Sequence, residues 1–131
     1  MRYLLDANAV IAMLNDPHGR VAQRARRESL ADVGVSAIII HELYYGAFSS
    51  ARATQNVALV DALRFAVLPF EKEDARSAGQ VRARLRAKGT PIGPYDILVA
   101  GQAVARKLIL ITHNRREFVR VAGLLTEDWE T

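Results

Sequence analysis

The stretch PYDILVAGQAVARKLILI, residues 94–111, predicts a helix that is followed directly by a buried strand. Pro94 suits the first position of a helix, because its φ angle is already helical and its missing N–H needs no partner there. We expect this helix to begin near Tyr95-Asp96 and to end near Arg106-Lys107. The apolar run Leu108–Ile111 is the clearest strand in the chain. A helix that leads directly into a buried strand is typical of α/β folds.

Four other short apolar stretches also predict strands. They are Tyr3–Leu5, Val33–Val35, Val67-Leu68 and Leu124-Leu125. Helical segments separate them, so strands and helices alternate throughout the chain. This order predicts an α/β fold, namely an α/β/α sandwich around a central, mostly parallel sheet, because parallel strands are joined by helical crossovers. The 131 residues are the size of one domain, and we expect a single domain over residues 1–131.

The helices between these strands are predicted from caps and apolar spacing. Asn8 is the expected cap of the first helix, and Ser36 is the expected cap of a helix that reaches Phe48. The β-branched run Ile38–Ile40 favours a strand, but apolar residues recur there every fourth position, which favours a helix. The other expected helices are a basic helix with Val21, Ala25 and Ser29 on its inner face, and helices over Thr54–Leu63, Glu73–Lys88 and Arg115–Val121.

Composition narrows the classes of function. The chain has no cysteine, which excludes a disulfide framework, a thiol nucleophile and a zinc–thiolate site. Asp6 comes directly after Leu4 and Leu5, so the apolar core of a signal peptide is not expected there. No apolar run is long enough for a membrane helix. We therefore expect a cytoplasmic protein. The net charge of +4 and the pI of about 9.8 favour a polyanionic partner such as nucleic acid.

Three acids and one amide occupy comparable places relative to the predicted strands. Asp6 comes directly after the first strand, and Glu42 lies in the helix after the second. Asp96 lies in the first turn of a helix, and Asn114 follows the strand that ends at residue 111. Active sites of open α/β sheets lie outside the carboxyl ends of the strands, so we expect these four side chains to converge. Each one alone also fits a structural role, as a cap, a helix-dipole partner, a solvated helix residue or a turn residue.

Carboxylates that converge repel one another. At a separation of about 4 Å the repulsion is roughly 4 kcal/mol near a protein surface, and a shared proton or a bound divalent cation relieves it. Oxygen ligands without a nearby histidine or cysteine favour Mg²⁺, with Mn²⁺ as a substitute, over zinc. A metal site of this kind in a basic protein suits a phosphodiester substrate. Arginine side chains can hold the nucleic-acid backbone on either side of that phosphodiester.

With these residues in place, the chain resembles the PIN-domain nucleases and, among them, the VapC toxins of bacterial toxin–antitoxin pairs. The stretches that carry the resemblance keep the family's order and spacing along nearly the whole chain; they are Leu4–Asn8, His41–Ala47, Pro91–Asp96, Ile111–Phe118 and Leu124–Trp129. Each motif alone is weak, and their combination is specific. The resemblance implies a PIN-like domain and an endoribonuclease that cuts RNA, often a tRNA or an rRNA loop, to 5′-phosphate and 3′-hydroxyl ends.

The resemblance also implies a site and partners. Asp6, Glu42 and Asp96 would bind Mg²⁺, and one or two ions would activate a water molecule. The family implies a homodimer, a VapB-type antitoxin that silences the toxin in a hetero-oligomer, and no membrane. Two departures stand out: Ala7 replaces the usual threonine or serine, and Asn114 replaces the fourth acid of many relatives. Since an amide is a weaker ligand than a carboxylate, we expect one tightly held ion.

Several other residues are expected to border the site. Thr112 is a source of a hydroxyl group, Glu117 is a source of further charge, and Asn8, the last residue of the first motif, is expected beside the site. His113 is expected to be an ordinary turn histidine. The candidate RNA-binding residues are Arg82, Arg86, Arg115 and Arg116. The alternative for these arginines is a solvated helix face.

Two other functions remain as alternatives. A phosphoacceptor domain of the receiver type also has acids at strand ends, but it needs a lysine after a late strand, where this chain has Thr112–Asn114. The stronger alternative is a non-catalytic PIN module that binds RNA or a partner protein. The presence of Asp6, Glu42 and Asp96 favours the enzyme.

Overall fold

A five-stranded parallel sheet forms the centre of the fold. The computed structural model describes residues 1–131. The strands are β1 (Tyr3–Leu5), β2 (Val33–Ser36), β3 (Ala66–Leu68), β4 (Ile109–Ile111) and β5 (Leu125–Glu127). Their spatial order is β3-β2-β1-β4-β5, and every neighbouring pair is parallel. The predicted α/β fold with a mostly parallel sheet is confirmed.

Seven α-helices and one 3₁₀ turn connect the strands. They are α1 (Ala7–Asn15), α2 (Arg20–Arg27), the 3₁₀ turn Leu30–Asp32, α3 (Ala37–Phe48), α4 (Ala53–Asp61), α5 (Lys72–Ala87), α6 (Pro94–Arg106) and α7 (Arg115–Phe118). The connections from β1 through β2 to β3 run toward one edge of the sheet, and the later connections run toward the other. Right-handed crossovers therefore place α1–α4 on one face and α5–α6 on the other. This arrangement is the predicted α/β/α sandwich.

The two central strands, β1 and β4, lie side by side where the direction of the connections reverses. Tyr3 is in register with Ile109, and the N–H of Asp6 donates to the carbonyl of Ile111 at 2.9 Å. In open α/β sheets, ligands bind in the crevice at the carboxyl ends of such a pair. The chain segments that leave β1 and β4 therefore define the place for a site.

The first helix begins earlier than the sequence predicts. Asp6, not Asn8, is its cap: the backbone of Asp6 is extended and its carboxylate accepts a hydrogen bond from the N–H of Ala7. Asn8 lies inside the first turn of α1 and is exposed, so its predicted capping role is wrong. The prediction for Ser36 is confirmed, since its hydroxyl accepts from the N–H of Ile38 at 3.2 Å and a helix follows.

Two further predictions at helix ends need correction. Ser29 lies outside α2 and is exposed, where its hydroxyl accepts from the N–H of Ala31 and caps the 3₁₀ turn. The last helix ends at Phe118 and not at Val121, because the N–H of Val121 bonds to the carbonyl of Phe118 in the tighter 3₁₀ spacing.

The helices α5 and α6 pack closely against each other. A Cβ atom built on Gly101 would lie 2.4 Å from the Cα of Ala78, so the two backbones are nearly in contact. One turn from these residues, the buried carboxylate of Asp74 accepts two hydrogen bonds from the guanidinium of Arg106, at 2.8 and 3.1 Å. This contact fixes the position of α6, which carries Asp96.

A defined turn delivers the chain from α5 to α6. Gly89 has a φ of 68°, a left-handed conformation that favours glycine. The N–H of Thr90 donates to the carbonyl of Leu85, and the N–H of Gly89 donates to that of Arg86, which closes the end of α5. Pro94 then occupies the first turn of α6, as the sequence predicts.

None of the helices combines the length and the apolar character that a crossing of the membrane requires.

Candidate active site

Asp6 is the most firmly held carboxylate at the carboxyl end of the sheet. Its side chain is 5% exposed. Oδ1 accepts a hydrogen bond from the N–H of Ala7 at 2.9 Å, and Oδ2 accepts one from the hydroxyl of Thr112 at 2.8 Å. Burial raises the pKa of Asp6, and these two hydrogen bonds oppose the rise. The hydroxyl that the sequence lacks at Ala7 is therefore supplied from the neighbouring strand, by Thr112.

Glu42 projects from α3 toward Asp6. Burial raises the pKa of Glu42, the charge of Asp6 raises it further, and the neighbouring His41 lowers it. One of its carboxylate oxygens, Oε1, is buried and has no hydrogen-bond partner. A buried oxygen without a partner costs free energy, so this atom is suited to a donor or a cation from outside the chain.

Asp96 lies in the first turn of α6 and joins the other two acids. Its pKa is raised to about 6 by burial and by the charges of Asp6, Glu42 and Glu117. Gly93 caps the same helix, and a Cβ built there would lie 3.1 Å from Asp96 Oδ2. The absence of a side chain at Gly93 leaves room for the carboxylate of Asp96. Electrostatics thus place four carboxyl groups at one site.

Glu117 reaches this group through α7. Its Oε2 accepts a hydrogen bond from the side-chain amide of Asn114 at 3.3 Å. The N–H of Asn114 donates to the hydroxyl of Thr112 at 3.0 Å, so the turn after β4 is tied to the bond that holds Asp6. The sequence predicts that Asn114 joins the three acids as a catalytic residue, and in the structure its side-chain amide holds the carboxylate of Glu117.

The residues expected to border the site differ in their positions. Arg115 and Arg116 are exposed at the start of α7 and lie next to Asn114. Arg82 and Arg86 line a cavity of about 820 Å³ between α5 and α6, whose wall is mostly apolar. The exposed residue Asn8 makes no hydrogen bond to the carboxylates through its side chain.

A second group of potential metal ligands lies after β4 and β5, and no sequence pattern predicts it. His113 Nδ1 is 2.9 Å from Asp128 Oδ2 and 3.4 Å from Glu130 Oε2. The three ligating atoms lie within 4.8 Å of one another and form a group that could hold a metal ion. His113 lies in the turn after β4, as the sequence predicts, and the two acids come 15 and 17 positions later, a spacing that matches no metal motif.

The residues at the end of β1 fit a divalent cation. All the donors of Asp6, Glu42 and Asp96 are carboxylate oxygens, which hard cations prefer. The buried Oε1 of Glu42 has no partner within the chain, and besides burial the charges of neighbouring acids raise the pKa values of Glu42 and Asp96. A cation would supply the missing partner and offset the charges of these acids.

A family model described as PIN domain matches residues 3–124. The chain belongs to the PIN-domain family. This PIN-domain protein is similar to the tRNA(fMet)-specific endonuclease VapC of Salmonella typhimurium, with 37% identity over 98% of each chain. It is also similar to Ribonuclease VapC2 of Haemophilus influenzae, with 34% identity over 98% of each chain.

The similarity extends to solved structures. The crystal structure of DNA-bound VapBC from Salmonella typhimurium matches the PIN-domain protein with a TM-score of 0.94 and 37% identity, over 98% of each chain. The predicted resemblance to the VapC ribonucleases, the toxins of VapBC pairs, is confirmed by these relatives. The predicted enzyme class, a ribonuclease, is confirmed with it.

Proposed function

We propose that this protein is a Mg²⁺-dependent endoribonuclease and the toxin of a toxin–antitoxin pair. Asp6, Glu42 and Asp96 are the proposed metal ligands, and Mn²⁺ is the proposed substitute for Mg²⁺. The observation that carries the proposal is the buried Oε1 of Glu42, which has no partner within the chain and lies in a site with Asp6 and Asp96. Burial and the charges of Asp6, Glu42 and Glu117 raise the pKa of Asp96 to about 6, which supports the proposal. Acidic ligands within a protein of net charge +4 are suited to a divalent cation and a phosphodiester.

The chain's own groups prepare this site. An ion bound there would activate a water molecule and stabilise the negative charge that develops on the attacked phosphate. Thr112 orients Asp6 through one oxygen, and the N–H of Ala7 orients it through the other. Asn114 holds Glu117 near Asp96, and we propose that this pair adds negative charge without being a ligand.

The proposed substrate is an RNA loop, with a tRNA as the first choice. The relative from Salmonella typhimurium is named a tRNA(fMet)-specific endonuclease, and sequence-specific recognition of RNA mostly targets unpaired loops. Arg115 and Arg116 are the proposed contacts with the RNA nearest to the site, and a role for Arg82 and Arg86 stays a prediction. Hydrolysis would leave a 5′-phosphate and a 3′-hydroxyl end.

The proposed partner is a VapB-type antitoxin. The solved neighbours are described as VapBC, from Salmonella typhimurium and from Rickettsia felis, each with DNA. We propose a homodimer that assembles with the antitoxin into a hetero-oligomer in the cytoplasm, where the RNA substrate is found. Light scattering of the free and the antitoxin-bound protein measures both states.

Cleavage of total RNA tests the enzymatic proposal. Antitoxin-free protein is incubated with RNA in Mg²⁺ or in EDTA, and the 5′ ends of the products are mapped. An Asp96→Asn protein prepared in the same way controls for a contaminating nuclease, because it removes charge without changing size. A few discrete, Mg²⁺-dependent ends that the variant does not produce would support the proposal. No cleavage, or equal cleavage by the variant, would contradict it and favour a non-catalytic RNA-binding module.

A further inference from the structure

Four arginines surround a cavity of about 530 Å³ on the β5 side of the sheet, which we call the arginine cavity. Three of them, Arg20, Arg24 and Arg27, come from α2. Their spacing of four and then three residues places them on one face of the helix. The fourth, Arg115, is the first residue of α7, and the segment Thr126–Trp129 forms the opposite wall.

The acids in the wall of the arginine cavity are engaged by other groups. Glu127 Oε1 accepts a hydrogen bond from the indole N–H of Trp129 at 3.1 Å and lies 3.8 Å from Arg24. Asp128 Oδ2 lies 2.9 Å from His113, and its Oδ1 accepts from the N–H of Glu130. Neither carboxylate forms a salt bridge with the exposed arginines Arg20, Arg27 and Arg115.

Three of the four guanidinium groups have no partner within the chain. Arg24 pairs with Glu28 and lies over the ring of Trp129, 4.9 Å from its centroid. Arg20, Arg27 and Arg115 are exposed and form no salt bridge and no side-chain hydrogen bond. The lining of the arginine cavity therefore combines four arginines with two carboxylates, an excess of positive charge, and three of its guanidinium groups are free to contact a ligand.

The arginine cavity adjoins the carboxylate site through α7. Arg115 directly follows Asn114, whose side chain donates to Glu117. The charge of Glu117 acts in turn on Asp96. The arginine cavity and the carboxylate site therefore share the segment Asn114–Glu117 as a common border.

We propose that the arginine cavity binds the phosphodiester backbone of the substrate RNA beside the bond to be cut. Guanidinium groups match phosphate oxygens with two parallel hydrogen bonds, which ammonium groups do not. The wall holds a single hydrophobic residue, Trp129, which is 5% exposed, so it lacks the apolar anchors typical of protein partners. The inference rests on the proposed ribonuclease function, because it names the path of that substrate.

The salt dependence of RNA binding tests this inference. The probe is a fluorescein-labelled single-stranded RNA bound to the full chain in EDTA, with anisotropy measured over a series of NaCl concentrations. Arg20→Gln/Arg27→Gln is expected to weaken binding about tenfold or more and to reduce the slope of log K against log[NaCl] by about 1.4, since each lost phosphate contact removes about 0.7. Arg64→Gln/Arg76→Gln removes the same charge from exposed positions outside the cavity and is the matched control.

Charge and shape are separated by a third variant. Arg20→Lys/Arg27→Lys keeps the charge, so it should keep the slope of the wild type while losing part of the affinity. With Mg²⁺ present, Arg20→Gln/Arg27→Gln should raise KM for RNA cleavage several-fold and leave kcat near the wild-type value, because the cavity does not contain the acids. Circular dichroism at each step verifies that the variants are folded.

Three results would overturn the inference. One is a slope for Arg20→Gln/Arg27→Gln that equals the wild-type slope. Another is an equal fall in slope for Arg64→Gln/Arg76→Gln, which would show that the effect depends on the net charge of the protein and not on the cavity. The third is an unchanged RNA slope with a loss of affinity for a labelled oligoglutamate peptide, which would assign the cavity to an acidic protein segment. If the wild type does not cleave RNA while Arg20→Gln/Arg27→Gln still lowers the slope, the nuclease proposal is contradicted and RNA binding by the arginine cavity is supported.

Discussion

The hydroxyl of Thr112 donates a 2.8 Å hydrogen bond to Asp6 Oδ2 across 106 positions of sequence. The two residues directly follow the central strands β4 and β1, whose pairing brings them together. The same hydroxyl oxygen accepts from the N–H of Asn114. One side chain therefore joins the proposed metal ligand to the turn that carries Glu117.

Thr112→Val should weaken both the fold and the site. The valine keeps the shape but leaves Asp6 Oδ2 buried without its donor, at a cost of about 1–3 kcal/mol in the free energy of unfolding. Loss of a partner that orients a ligand typically costs about 10–100-fold in metal affinity or activity. Calorimetric titration with Mn²⁺ and cleavage assays measure both effects. Thr112→Ser retains the hydroxyl and should behave as the wild type; equal defects in the two variants would refute this role.

The stability of the metal-free protein should fall as the pH rises toward neutrality. The pKa of Asp96 is about 6 in the folded chain, above its ordinary value of about 3.9, so the folded state binds more protons between these values. The contribution of Asp96 to the free energy of unfolding is therefore fully present below about pH 4. This contribution is lost as the pH rises through about 6. The raised pKa values of Asp6 and Glu42 act in the same direction.

Melting temperatures in EDTA from about pH 5 to about pH 7.5 check this dependence. Asp96→Asn should be more stable than the wild type at the upper end and should show a flatter profile. Mg²⁺ should stabilise the wild type more at pH 7.5 than at pH 5, because protons compete for its ligands. A wild-type melting temperature that rises over this range would contradict the assignment.

Gly93→Ala should impair the site more than the fold. The φ of −55° at Gly93 is accessible to alanine, but the added methyl group would lie 3.1 Å from Asp96 Oδ2 and displace that carboxylate by a few tenths of an ångström. We expect metal affinity to fall about 3–10-fold, with a loss of about 1 kcal/mol or less in stability. Gly46→Ala, one turn after Glu42 on α3 and facing open space, is the matched control. Its metal affinity should equal that of the wild type.

Much of this architecture follows from local sequence patterns. The run Leu108–Ile111 and the caps at Ser36 and Pro94 act through neighbouring residues, so the strands and helix starts that they predict are confirmed. The sequence predicts Asn8 as the cap of α1 and treats capping and metal binding as alternative roles for Asp6. In the structure Asp6 serves as the cap and also faces the other acids, which a residue-by-residue interpretation does not anticipate.

The rest of the site depends on contacts between distant segments. The link between Thr112 and Asp6, and the path from Glu117 to Asp96, exist only once β1 and β4 are paired. The arginine cavity likewise combines α2 with segments about 90 residues later, and its helix resembles any solvated basic helix in sequence. Periodicity and motif spacing contain no information about such contacts.

Gly101→Ala should destabilise the protein strongly. The methyl group would fall 2.4–2.6 Å from backbone and side-chain atoms of Ala78, so α5 and α6 must separate. Overpacking of this kind costs typically about 1–3 kcal/mol, and contact with backbone favours the upper end. Gly79→Ala, on the same helix pair, meets no atom within 4 Å and should gain roughly 0.5–1 kcal/mol. Urea denaturation measures both, and a smaller loss for Gly101→Ala than about 1 kcal/mol would contradict the close packing.

Arg106→Gln should leave a buried charge without its partner. Asp74 is 1% exposed; burial alone would raise its pKa, but the hydrogen bonds from Arg106, from the N–H of Glu71 and from Gln102 lower it overall. Because Arg106 is partly exposed, we expect a loss of about 2–4 kcal/mol at neutral pH. With a lowered pKa, this stabilisation is present above about pH 4 and is lost as the pH falls through the folded-state value.

A double-mutant cycle isolates the pair. Asp74→Asn/Arg106→Gln should be more stable than the sum of the two single changes predicts, since neither partner is then left charged and buried. Denaturation at neutral and at acid pH completes the measurement, and the coupling should shrink in acid. Strict additivity at neutral pH would show that the contact contributes nothing.

In the sheet β1 lies between β2 and β4, which are translated at different stages of synthesis. This position has a consequence for biosynthesis. A growing chain exposes Asp6 early, but the strand that carries Thr112 to it follows 106 positions later. Until residues 109–112 have left the ribosome, the pocket lacks one wall and its carboxylates have no fixed arrangement. The translating ribosome, itself built largely of RNA, is therefore beside a chain whose pocket is incomplete until residue 112 has emerged.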